Sequence, residues 1–195
     1  MTPIDLRERH QLCDLLLEVG PAAPTLCEGW DTMDLATHLY VRERHPLRPT
    51  RGTPRALHNG FEWVVGQLRA GPPLPWRTPV LRDLANGLEY FIHHEDVRRT
   101  NGLELRPRSE DLERLAWRAD RLLARRLPKR LGPHSLRLES DDGGVAEYGS
   151  GPTVMLSGRP TEMLLFLSGR PAGSALVISG SAAAQDALHA SQRRF

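Results

Sequence analysis

Only two cysteines, Cys13 and Cys27, occur in the 195 residues, and they lack Cys-x-x-Cys spacing. In a reducing compartment such a pair forms no structural disulfide, and both read as small buried apolar residues, with Cys27 also a redox candidate. No apolar run approaches the roughly 18 residues of a membrane-spanning helix. The opening Met1-Thr2-Pro3-Ile4-Asp5-Leu6-Arg7-Glu8 is charged too early for a secretory core, so a cytoplasmic protein with no membrane partner is expected. No phosphate loop, GxGxxG or GxSxG pattern occurs. Gly158-Arg159-Pro160 and Gly169-Arg170-Pro171 read as turns. The four tryptophans, Trp30, Trp63, Trp76 and Trp117, are scattered and suit packing better than base stacking. A formal charge of +2 gives no general attraction for nucleic acid, although Arg121, Arg125, Arg126, Lys129 and Arg130 cluster and could draw anions. Solvated helix faces and dipole-compensating ends are the simpler account of that cluster.

What is present is a globular balance, 26% charged and 39% apolar, which argues against long disorder. Leu6, Leu12, Cys13, Leu15, Leu16 and Val19 follow helical spacing from Asp5 to Val19, stopped by Gly20-Pro21. Asp31 caps a second helix, with Asp34 at the third position of a capping-box-like start, running to about Arg44. A third helix is predicted over Arg55 to Arg69, and after a proline-rich loop a fourth from Leu81 to Arg99, closed by Asn101-Gly102. Ser109 begins a fifth, to Arg126.

Beyond Pro128 the period changes. Leu136 to Glu139 alternates as a strand, Asp141-Asp142-Gly143-Gly144 as a hairpin turn, and Val145 to Tyr148 as the return strand. Further strands fall at Thr153 to Ser157 and Ala175 to Ser179. They are separated by a helix over Thr161 to Leu167 and followed by one capped by Ser181 that runs through Ala190. The predicted fold is α+β: a helical domain over residues 1–130 and a small α+β domain over 131–195. There is no internal repeat or low-complexity tract.

The chemistry concentrates in Glu89-Tyr90-Phe91-Ile92-His93-His94-Glu95-Asp96. Four residues apart on a helix, Glu89 and His93 share a face, and His38 on the second helix is the natural third member. Two imidazoles and a carboxylate suit Zn²⁺ and leave a position for water or substrate, while Ni²⁺, Mn²⁺ or Fe²⁺ would also be accepted. From spacing alone, a helix surface pair and a hydrogen-bonded core histidine account for the same residues. His94 sits about 100° round the helix and takes a supporting role. Asp96, three residues beyond His93, could orient that ring or pair with Arg99; Asp34 could orient His38, though capping is simpler. His45 could line the same face as His38. His10, His58, His134 and His189 have no constellation around them.

Three segments then become familiar: Cys27-Glu28-Gly29-Trp30-Asp31, Asp34-Leu35-Ala36-Thr37-His38-Leu39, and Glu89 through Arg99. Together they resemble the N-terminal domain of the mycothiol-dependent maleylpyruvate isomerase-like family and its actinobacterial relatives, within the DinB/YfiT-like metal-binding four-helix bundles. In that family the zinc ligands are a histidine after the Trp-Asp segment and a Glu-x-x-x-His pair, which map onto His38, Glu89 and His93. The tail, Val154 to Gly169 and then Ala175 to Leu188, is similar to the family's C-terminal domain, of sterol-carrier-like α+β form.

The resemblance implies a divalent metal, zinc by default, and mycothiol as cosubstrate. The low-molecular-weight thiol would be activated for attack on a small electrophile, in an isomerase or S-transferase. A metal-containing binding or regulatory module without turnover is the alternative. A metal-free scaffold is a third.

Overall fold

The structure is a computed structural model that describes residues 2–44, 59–72 and 86–192. His45, His58 and Trp76, together with the first turns of the helices predicted from Arg55 and Leu81, lie outside the described residues. Among those described, seven helices and a four-stranded mixed sheet form an α+β fold in two compact units, Met1–Pro107 and Arg108–Phe195.

The first unit contains α1 (Ile4–Val19), α2 (Thr32–Arg44), α3 (Phe61–Ala70) and α4 (Leu88–Thr100). Each helix buries an i, i+4 stripe, seen in Leu12 and Leu16, Leu35 and Leu39, and Val64 and Leu68, which meet in one core with Tyr90 and Val97. α1 packs on α3 and α4, and α2 packs on α3. Gly20 ends α1 at φ 79°, a conformation that glycine adopts without steric cost. Asp31 and Asp34 start α2 reciprocally: the Asp34 N–H donates to Asp31 Oδ1 (2.9 Å) and the Asp31 N–H to Asp34 Oδ2 (3.3 Å). α3 begins at Phe61 after Gly60, whose φ of 81° lies in the region that favours glycine.

A buried polar knot fixes all four of these helices in register. Arg9 of α1 donates to Glu43 of α2 through Nη1 (2.8 Å) and Nη2 (2.5 Å), and to the Leu68 carbonyl (2.7 Å). Tyr90 of α4 donates its hydroxyl to the same Glu43 carboxylate, and the Arg9 guanidinium lies 4.5 Å from the Tyr90 ring centre. Glu43 and Tyr90 sit next to the helix turns that carry His38 and Glu89, so the knot holds the site's two helices at a fixed offset.

The second unit runs α5 (Glu110–Ala124), β1 (Ser135–Ser140), β2 (Val145–Tyr148), β3 (Thr153–Gly158), α6 (Pro160–Leu167), β4 (Leu176–Ser179) and α7 (Ala182–Gln192). The sheet order is β2-β1-β3-β4, with β1 antiparallel to β2 and parallel to β3, and β3 antiparallel to β4. Period-two alternation puts Leu136 and Leu138 of β1 and Val154 and Leu156 of β3 on the buried face, against Phe166, Ala184 and Leu188.

α5 belongs with this sheet, so the unit boundary falls at Pro107 and not near residue 130, where the change of period in the sequence had put it. The physical cause is Glu113: its carboxylate accepts from Arg159 (2.7 Å) and from the Thr161 backbone N–H (3.0 Å), closing the first turn of α6. Ala124 and Leu127 then pack under Leu136 and Leu138.

Candidate metal centre

Two helices of the first unit and the loop between α1 and α2 build the site. That loop is tied to α4: the Leu26 N–H donates to the Asp96 carbonyl (3.2 Å) and Asn101 Nδ2 to the Pro24 carbonyl (3.1 Å). Thr25 Oγ1 donates to the Trp30 carbonyl (2.9 Å), a short closure that turns Trp30 toward α2. The Trp30 and His38 rings consequently lie 5.0 Å apart, and the His38 and His93 rings 5.4 Å apart, edge to face.

His38, Glu89 and His93 converge. Glu89 Oε1 stands 3.5 Å from His38 Nε2 and 3.4 Å from His93 Nε2, and one donor atom from each residue lies within 4.8 Å of the others. Donors bound tetrahedrally at about 2.0–2.1 Å from one ion stand about 3.3 Å apart, close to the two spacings here. His38 Nδ1 is buried without a hydrogen-bond partner among the described residues, which leaves Nε2 as the nitrogen aimed into the cluster. The donor set and its spacing therefore fit a divalent cation.

His93 is oriented from behind. Its Nδ1 lies 2.9 Å from Oδ2 of the fully buried Asp96, which also accepts from the Cys27 thiol (3.3 Å). A carboxylate on one imidazole nitrogen fixes the tautomer and directs the other toward a metal. Asp96 thus takes the orienting role, while Arg99 donates through Nε to Glu95 (3.0 Å). Cys27 Sγ lies 3.8 Å from His93 Nδ1, on the side of the ring away from Glu89. Cys27, His93 and Asp96 also bring donors within 4.8 Å of one another. Their His–Asp separation of 2.9 Å is that of a hydrogen bond and is shorter than the spacing of donors around an ion.

The electrostatics follow from these contacts. Burial opposes charge on His93, but the hydrogen bonds with Asp96, Cys27 and Glu89 outweigh it and carry the imidazole from 6.5 up to about 10. Burial would likewise raise Glu89. Hydrogen bonds from His38 and His93, with the charge of Arg42, instead hold it well below the usual carboxylate range. Without metal the centre is an imidazolium–carboxylate pair whose proton occupies the place of a cation.

The structure does not bring His94 to the centre: the helix turn points it toward α1, with Nδ1 3.9 Å from Glu8 Oε2. Asp34 is spent on capping. Arg42, which the sequence reading passed over, lies one turn after His38, with Nε 3.4 Å from Glu89 Oε1 and Nη1 donating to Asn86 (3.1 Å). The His38-x-x-x-Arg42 spacing was the signal that placed both on one helix face.

The whole arrangement defines an α+β protein with a three-donor centre between helices. Two solved structures share this fold: the mycothiol-dependent maleylpyruvate isomerase and a histidine-to-alanine variant of it. Each matches with a TM-score of 0.55 over 92% of this chain and 96% of that chain, at 16% and 15% identity. At such identity the likeness is one of fold. No protein-family model matches the sequence, and no curated protein matches it. No helix among the described residues is long and apolar enough to cross a membrane.

Proposed function

We propose that the protein is a metal-dependent enzyme, with zinc as its default ion, that activates a low-molecular-weight thiol of the mycothiol type for attack on a small electrophile, as an isomerase or S-transferase. One observation carries the reading: the convergence of His38 Nε2, His93 Nε2 and Glu89 Oε1 at the separations expected of donors around one cation. The fold shared with the mycothiol-dependent isomerase supports it. So do the resemblances of the helical unit to DinB/YfiT-like bundles and of the C-terminal unit to sterol-carrier-like folds.

When bound, a divalent ion would lower the pKa of a coordinated thiol or water toward neutrality. The chain's own residues prepare for this. Asp96 holds His93 with Nε2 forward, Glu89 supplies the compensating negative charge, and Trp30 covers one side of His38. Arg42 places a guanidinium beside Glu89, where it can meet an anionic group of a substrate.

A binding or regulatory module without turnover is the second reading, and one observation favours it: Cys27 and Asp96 are engaged in holding His93, and neither is placed as a separate acid or base. Elemental analysis of untagged protein tests the shared premise. About one equivalent of metal is expected in the wild type and none in His38→Ala; equal metal in both would refute the centre. With metal present, consumption of any electrophile in a broad panel only when mycothiol is supplied supports the enzyme. A bound thiol recovered unchanged across that panel supports the module.

A further inference from the structure

Two arginines of the cluster, Arg121 and Arg125, have no part in the metal centre, yet with Arg118 they line a cavity of the second unit. Arg118 and Arg121 share one face of α5, Arg125 follows on the same side at its C-terminal cap, and with Leu122 they line a space of about 460 Å³ whose other wall is β2, Val145 to Tyr148. None of the three guanidiniums has a carboxylate partner among the described residues, and Leu122 (50% exposed) leaves apolar surface beside them. α5 is held against this end of the sheet by Trp117, whose ring would touch a Cβ at Gly144 at 3.0 Å.

β2 is also an edge: its one partner in the sheet order is β1, and no strand pairs its outer side among the described residues. The Ser140 N–H donates to the Gly144 carbonyl (2.7 Å), which sets the phase of the pair. Antiparallel alternation then turns Ala146 and Tyr148 to β1, and the N–H and C=O of Val145 and Glu147 outward. Exposed edges of this kind accept a further strand unless something blocks them.

We propose that this groove docks an extended acidic segment of a partner protein, added as a strand beyond β2. Every second side chain of such a strand faces α5, at a repeat of about 6.8 Å. Arg118, Arg121 and Arg125 rise along α5 in steps of about 4.5 and 6 Å, so acidic residues at alternate positions meet successive arginines. The outward amides of Val145 and Glu147 supply backbone pairing, and Leu122 supplies apolar cover. The inference is independent of the proposed enzymatic role.

The test uses the full chain and two labelled peptides of equal composition, one alternating Glu-Val-Glu-Val-Glu-Val and one in blocks, Glu-Glu-Glu-Val-Val-Val, titrated by fluorescence anisotropy. The alternating peptide is expected to bind at least tenfold tighter. Its binding should disappear in Arg118→Glu/Arg121→Glu/Arg125→Glu and weaken at least tenfold in Glu147→Pro, which removes an outward N–H and spares the β1 ladder. If Glu147→Pro does not fold, the alternating peptide methylated on every second amide replaces it: one phase of methylation should abolish binding, and undiminished binding in both phases refutes strand addition. Equal binding of the block peptide, or retained binding in the triple variant, also overturns the proposal. So does a single-stranded oligonucleotide that displaces the peptide through the same arginines.

Discussion

Metal binding at the His38, Glu89 and His93 centre should be a proton exchange. The His93 imidazole titrates at about 10 in the metal-free protein, against an ordinary 6.5, so at pH 7 a metal must displace its proton. At 1.36 kcal/mol per unit, freeing that nitrogen across three pH units costs about 4 kcal/mol, or about a thousandfold in affinity. Apparent zinc affinity, measured against a competing chelator and corrected for hydrolysis of the free ion, should rise about tenfold per pH unit from 7 to 9 and flatten beyond about 10. Calorimetry in buffers of different ionisation enthalpy should register about one proton released per ion at pH 8.

Stability of the metal-free protein should run the other way. A group whose pKa is raised on folding stabilises fully below its unfolded value, near 6.5, and that contribution is lost as pH climbs through about 10. The metal-free Tm should therefore fall between pH 7 and 10 while the gain conferred by zinc grows. Asp96→Asn separates this proton from one lost by a metal-bound water: it should move the release window back toward 6.5, whereas a water proton would stay where it was. Affinity that is flat from pH 7.5 to 9, or a metal-free Tm insensitive to pH there, would refute the reasoning.

Arg9→Met should destabilise the first unit by about 3–5 kcal/mol in chemical denaturation, because it strands the buried Glu43 carboxylate. Arg9→Met/Glu43→Leu should recover most of that loss, and a double variant as weak as the single would contradict the pairing account. Gly158→Ala should cost at least about 1–3 kcal/mol, since φ is 144° and a Cβ would stand 2.2 Å from the Ala175 carbonyl oxygen; an unchanged Tm would show the strand edge to be freer than this. Asp120 is fully buried, with neither carboxylate oxygen hydrogen-bonded among the described residues, and burial, aided by the charge of Glu113, pushes its pKa well above the usual range. Stability then falls as pH rises through that raised value, so Asp120→Asn should lift Tm more at pH 8 than at pH 4, and equal gains would argue against a strained carboxyl.

The sequence by itself determined the local features: the helix ends at Gly20 and Asp31, the alternation of Leu136 and Leu138, and the i, i+4 placement of Glu89 and His93. These are properties of a few neighbouring residues, fixed by the 3.6 and 2.0 repeats and by turn chemistry, so they can be read without knowing the rest of the chain. The spacing also offered His38 as the third donor, but by itself it favoured a helix surface pair and a core histidine, and the family resemblance turned the reading toward a metal site. Only the tertiary structure brought Nε2 of His38 within 3.5 Å of Glu89, through a loop pinned to α4 and the Arg9, Glu43 and Tyr90 knot, contacts between residues far apart in sequence. It also decided that Asp96 turns to His93, that His94 faces α1, and that α5 joins the sheet through Glu113. Each of those outcomes depends on which helix faces meet, and that is set by the packing of the whole core, where no periodicity within one segment carries the answer.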